Sequence, residues 1–157
     1  MNKETKEKIC TFFVSDYHFE MISLPYIDKK LEENEEIIIL TENNLEDTIQ
    51  TLLSKMNFKE DRKKKILSIN WKNDDFAKFK EIKREVENQN KVTIFIKGKK
   101  NYTRNINKNI EGWINKSSHI KVVDCYDVEE IGSNMDTVMA SYKSILSTSG
   151  EKEIEKL

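Results

Sequence analysis

One proline, four glycines and two cysteines are spread over 157 residues. Each scarcity excludes something. Cys10 and Cys125 are too few for the disulfide frame of a small secreted domain and read as buried thiols in a reducing cytoplasm. The glycines, Gly98, Gly112, Gly132 and Gly150, form no phosphate-binding fingerprint. A P-loop needs glycines so that backbone N–H groups can wrap phosphates, with a Lys and a Ser/Thr for phosphate and Mg²⁺. Ser15-Asp16-Tyr17-His18, which follows the first expected strand, has no glycine and no Gly-Lys-Ser/Thr step. Ile96-Lys97-Gly98, which ends the fourth, has no acid to hold a metal. Standard ATP or GTP hydrolysis is therefore not expected. Apolar runs are too short to span a bilayer, and Met1–Lys8 lacks the apolar core of a signal peptide. Net formal charge is -1, so nothing pulls the whole chain toward nucleic acid or an anionic membrane.

What is present suits a soluble α/β domain. The composition is 37% hydrophobic and 35% charged, enough apolar residues for one core and a heavily charged surface. The abundance of Lys, Asn and Ile fits an AT-rich genome. A single domain over 1–157 is expected, with 151–157 a frayed tail. The organising stretch is His119–Asp127, HIKVVDCYD. Its apolar run Ile120, Val122, Val123 ends in the polar cluster Asp124, Cys125, Tyr126, Asp127. Buried strands of α/β sheets end this way, delivering side chains to the rim where such sheets bind ligands.

Four more runs read as strands: Lys8–Val14, Glu35–Thr41, Lys65–Asn70 and Lys91–Ile96. Between them lie helical patterns. Phe19, Ile22, Tyr26, Ile27 and Leu31 recur at threes and fours after a cap at Ser15 or Asp16, with Pro25 set to kink or split that helix near Met21. Asn44 opens a helix carrying Leu45, Ile49, Leu52, Leu53 and Met56. Lys59–Lys65 reads as a charged connector. Asn73–Asn90 forms a helix with Phe76, Phe79, Ile82 and Val86 inward, and Tyr102, Ile106, Ile110, Trp113 and Ile114 mark another. Ser133-x-x-Asp136 resembles a capping box that opens a last helix stopped by Gly150. Strands alternating with helices predict a mainly parallel five-stranded sheet covered by helices on both faces.

Two groups of residues draw attention chemically. Ser15, Asp16, His18, Thr41, Asp124, Tyr126 and Asp127 are expected near the C-terminal edge of the sheet, as a tentative ligand-binding set. With Cys125 they contain metal- and proton-binding chemistry, but their spacing matches no metal pattern. The favoured reading of these residues is that Asp16 caps a helix, Cys125 packs in the core and His18 is an ordinary surface residue. Lys97, Lys99, Lys100, Arg104 and Lys108 form a basic strip with no acid from Lys97 through Ile110, and Tyr102 lies among them. Such a strip holds an anion or a partner, or is simply a solvated face. No catalytic residue, metal or cofactor is assigned.

The block Ile9–Thr41, with Pro25, Tyr26, Ile27, Leu31, Asn34 and Glu35 at its landmarks, resembles the opening of a MEDS domain. VVDCYDVEEI followed by VMASYKSIL is similar to that family's closing strand and helix. The resemblance implies a RecA/KaiC-like core without a P-loop, acting as a sensory and regulatory module. The expectation is thus a non-catalytic cytoplasmic signalling domain that binds a small-molecule ligand or a regulatory protein, or associates with itself. No nucleic-acid or membrane partner is expected. The alternatives are an unorthodox nucleotide-binding protein or enzyme using the sheet's C-terminal edge, and a nucleic-acid binder using the strip from Lys97 to Lys108.

Overall fold

The structure, a computed structural model, describes residues 7–114 and 119–154. Four long apolar runs become parallel strands: β1 Glu7–Phe13, β2 Glu36–Thr41, β3 Val92–Lys97 and β4 Ile120–Asp127. Two short strands, β5 Ser144–Ser147 and β6 Gly150–Glu153, complete a six-stranded sheet in the order β2-β3-β4-β1-β5-β6. β5 runs parallel to β1, and β6 returns antiparallel beside it. β4 lies between β3 and β1, as expected of the anchor strand.

Helices cover both faces, so strand side chains alternate between two cores. α1 (Asp16–Glu32), α2 (Glu46–Leu53) and α3 (Glu60–Leu67) close one face over Ile9, Phe13, Ile37, Ile39, Phe95 and Val123. α4 (Asp75–Glu87) and α5 (Lys100–Ile114) close the other over Ile38, Leu40, Ile94, Ile96 and Val122. Two-sided burial explains why these strands read as continuous apolar runs. No helix among the described residues is long and apolar enough to cross a membrane.

Several expectations are corrected. Lys65–Asn70 is not a strand. Lys59 and the connector after it open α3, whose acidic first turn (Glu60, Asp61) and basic last turn (Lys64, Lys65) suit the helix dipole. Arg62 Nε meets Asp28 of α1 at 2.9 Å, which fixes the helix against its neighbour. Pro25 does not divide α1, which runs through it with Phe19, Ile22, Leu24 and Ile27 buried on either side. Phe76 is 73% exposed, whereas Ile82 is buried and Phe79 and Val86 pack partly buried against the same core, joined by the buried Lys78 and Glu85. The last helix is short. α6 (Val128–Ile131), a 3-10 turn (Gly132–Asn134) and α7 (Met135–Met139) give way to the β5–β6 hairpin. No capping-box bond forms at the start of α7. Ile9 and Cys10 pair with Ser144 and Ile145, and Gly150, at φ 106°, occupies a hairpin position that favours glycine. The expected frayed tail is therefore β6 over 150–153, while 155–157 lie outside the described residues.

Lys78 is 1% exposed and donates to the Lys72 carbonyl. Burial pulls its amine down to about 8, against partial opposition from Asp75 and Asp74. A folded-state value below that of the unfolded chain means that protonation opposes folding at low pH. That opposition should fade as pH rises from about 8 to the ordinary 10.5. Urea unfolding across this window is expected to show a gain in stability that Lys78→Met abolishes. An identical slope in the variant would contradict this account.

Candidate functional site

The C-terminal rim is assembled from the ends of β1, β2 and β3. Ser15 caps α1 by accepting from the His18 backbone N–H at 3.1 Å. The Val14 N–H donates to His18 Nδ1 at 3.0 Å, so a neutral His18 carries its proton on Nε2. Asp16 faces Lys97 from the first turn of α1, with Oδ1 2.7 Å from Nζ. Asn43 stitches the pair. Its Nδ2 donates to Asp16 Oδ2 at 3.0 Å and its Oδ1 accepts from Lys97 at 3.2 Å. Thr41, fully buried, donates to the Asn43 carbonyl. Lys97 Nζ also sits 4.9 Å from the Phe13 ring centre and 5.5 Å from that of Phe19.

Glu20, one turn along α1, is 1% exposed. Burial raises its carboxyl, and the 2.5 Å hydrogen bond donated by Thr48 offsets part of that. Gly98 follows Lys97 where a side chain has no room. A Cβ there would stand 2.5 Å from Tyr102 Cδ2 and 2.8 Å from Glu42 Oε1. That Glu42 oxygen accepts from the Lys99 N–H.

A second site lies on the other face, between α5 and the segment around α7. It is a cleft of about 460 Å³. Lys100, Arg104 and Lys108 stand four residues apart, so one face of α5 presents all three to it. Asp124 forms the floor, 1% exposed. Its Oδ1 accepts from Asn107 at 3.0 Å; its Oδ2 accepts from the Tyr142 hydroxyl at 2.5 Å and lies 3.4 Å from Lys8 Nζ.

The Tyr126 and Tyr142 hydroxyls are 2.5 Å apart. Tyr142 spends its only proton on Asp124, so Tyr126 is the donor between the two phenols. A directed chain results, from Tyr126 through Tyr142 to Asp124. Burial first, then the charge of Asp124, pushes the Tyr126 hydroxyl up to about 12 and that of Tyr142 further.

The expected ligand set is thus split. Ser15, Asp16, His18 and Thr41 meet at the rim. Asp124 and Tyr126 line the cleft together with Lys100, Arg104 and Lys108, which the sequence placed in a separate strip. Asp127 caps α6 by accepting from the Glu129 N–H at 2.9 Å. Lys97 does not belong to the exposed strip. Strand alternation turns it to the α1 side, where it is 3% exposed. Lys99 is exposed and stands apart from the cleft lining. Lys8, Thr103, Asn107 and Tyr142 were missed. Thr103 and Asn107 share the α5 face of Arg104, and that spacing was there to be read.

Burial raises both thiols, that of Cys10 to about 12 and that of Cys125 well above its ordinary value, with Asp124 adding to each. Neither is a ready nucleophile at neutral pH. Among the described residues no group of three or more His, Cys, Asp and Glu is gathered to hold a metal ion. Comparison with protein-family models, with curated proteins and with solved structures finds no match in any of the three.

Proposed function

We propose that this chain is a non-catalytic signalling module of the MEDS type, which binds a ligand or a regulatory protein rather than turning over substrate. One observation carries the reading. In a P-loop enzyme the strand-to-helix turn supplies a lysine for phosphate, and a neighbouring strand end supplies an acid for Mg²⁺. Here the charges are exchanged: Asp16 occupies the turn and Lys97 the strand end, closed on each other at 2.7 Å. Asp16 repels phosphate, Lys97 repels a metal ion, and no glycine frees the backbone to wrap an anion. An internal ion pair stands where catalysis would need an open, polarised site.

Purified protein incubated with Mg²⁺ and ATP or GTP is expected to release no phosphate above a protein-free control. Release abolished by a single substitution at Asp16, Asn43 or Lys97 that leaves the protein folded would refute the reading, because a working rim site produces that pattern.

A further inference from the structure

We propose that the cleft between α5 and α7 is the ligand site of this module and takes a small hydroxyl-bearing phosphate ester. The proposal rests on the binding reading above and gives it a location and a chemistry.

Charge is the first argument. Lys8, Lys100, Arg104 and Lys108 line the cleft against Glu111 and Asp124. Lys8 is engaged by Asp124. Among the described residues, Lys100, Arg104 and Lys108 have no ion-pair partner. Glu130, at the start of α5, spends both oxygens on the Lys100 backbone N–H at 3.0 and 3.1 Å. Like charges four residues apart weaken a helix. An anion seated across all three reverses that cost. Phosphate suits them better than carboxylate, with more charge, more acceptor oxygens and a fit to the guanidinium fork of Arg104.

Thr103 supplies an independent argument. It lines the same cleft, is 3% exposed, and its hydroxyl is buried without a hydrogen-bond partner. Buried hydroxyls are rarely left unpaired, because the loss of water is uncompensated. A ligand oxygen held by Arg104 one residue away would satisfy it.

The remaining walls say what the phosphate is attached to. Thr137, Ser141 and Tyr126 carry hydroxyls, and Val138 is the one aliphatic residue of the lining. Because Asp124 fixes the direction of the phenol chain, the Tyr126 oxygen keeps lone pairs free to accept from a ligand hydroxyl. The volume, about 460 Å³, falls in the range of small-molecule sites, roughly 300–1,000 Å³.

Isothermal titration of the full chain with glucose 6-phosphate, adenosine monophosphate, inorganic phosphate and glucose tests the proposal. Either ester is expected to bind, inorganic phosphate more weakly, and glucose not at all. The double variant Arg104→Gln/Lys108→Gln should weaken ester binding about tenfold or more, since a lost charged hydrogen bond commonly exceeds about 1.4 kcal/mol. Thr103→Val should weaken it several-fold while leaving the ligand-free protein as stable as wild type or more so. A purely structural threonine would not give that combination. Asn43→Ala, at the rim, should leave affinity unchanged. No ester binding at millimolar concentration overturns the proposal, as does binding indifferent to the double variant. Loss of binding in Asn43→Ala alone moves the ligand to the rim, which overturns this location while the binding reading survives. Tight, salt-steep binding of single-stranded RNA without ester binding overturns it in favour of a nucleic-acid surface.

Discussion

Asp16→Ala is expected to lower the free energy of unfolding by about 3 kcal/mol, and Lys97→Met by about 1 kcal/mol or less. The asymmetry follows from burial. The Lys97 side chain is 4% exposed and that of Asp16 is 44% exposed. Removing Asp16 strands an ammonium in a place that little water reaches, with Asn43 Oδ1, two aromatic faces and the more distant charge of Glu20 left to it. Removing the charge of Lys97 leaves a carboxylate that solvent already hydrates, still accepting from Asn43. Methionine keeps the unbranched volume and the contacts with Phe13 and Phe19. Urea melts at constant m-value measure both changes. Equal losses, or a larger loss for Lys97→Met, would show that the pair is not organised around the buried lysine.

Asp124→Ala should be the most damaging substitution at the cleft, costing about 3–4 kcal/mol. It takes from Tyr142 its buried acceptor, leaves Asn107 Nδ2 only the Thr103 carbonyl, and leaves Lys8 without its counter-charge. Asp124→Asn should cost less, about 2 kcal/mol, because one oxygen remains while the new amide opposes a donor. Tyr142→Phe removes the middle of the chain, and its cost should not add to that of Asp124→Ala, since both delete the same bond.

Alkaline titration gives a second readout of the same chain. An unfolded tyrosine ionises near 10. Tyr126 is held neutral up to about 12 and Tyr142 beyond that, so their contribution to stability is complete below pH 10. It is lost as pH climbs through the folded values. In Asp124→Asn, tyrosinate absorbance should appear at lower pH than in the wild type. An unchanged curve would rule out Asp124 as a source of the shift.

The four long strands were legible because both sheet faces are covered, which turns each strand into an uninterrupted apolar word. Lys65–Asn70 was not legible as a helix. Ile66, Leu67 and Ile69 suit either structure over so short a run, and the helix is held by contacts the run does not report: Ile66 buried in the core and Arg62 reaching Asp28 on α1. The segment after Met139 failed for a similar reason. Tyr142, Ile145 and Leu146 have helical spacing, yet β1 offered an open edge and pairing there won. At the cleft, the spacing of Lys100, Arg104 and Lys108 was visible, whereas the arrival of Tyr142 against Asp124 depends on a turn that spacing does not report. Lys97 looked like one more member of the basic run only because sequence adjacency hides strand alternation.

The exchanged charges at the rim also bear on how the chain can change over generations. To gain a phosphate-binding lysine in the turn and a metal-binding acid on the strand, positions 16 and 97 must both reverse sign. Taken singly, Lys97→Asp sets two carboxylates where a pair now closes at 2.7 Å. Asp16→Lys gathers two ammonium groups against Phe13 and Phe19. Each intermediate loses an attraction and gains a repulsion in a poorly hydrated spot. The path toward nucleotide chemistry therefore crosses a less stable protein whichever step comes first, and drift alone is held on the near side of that barrier.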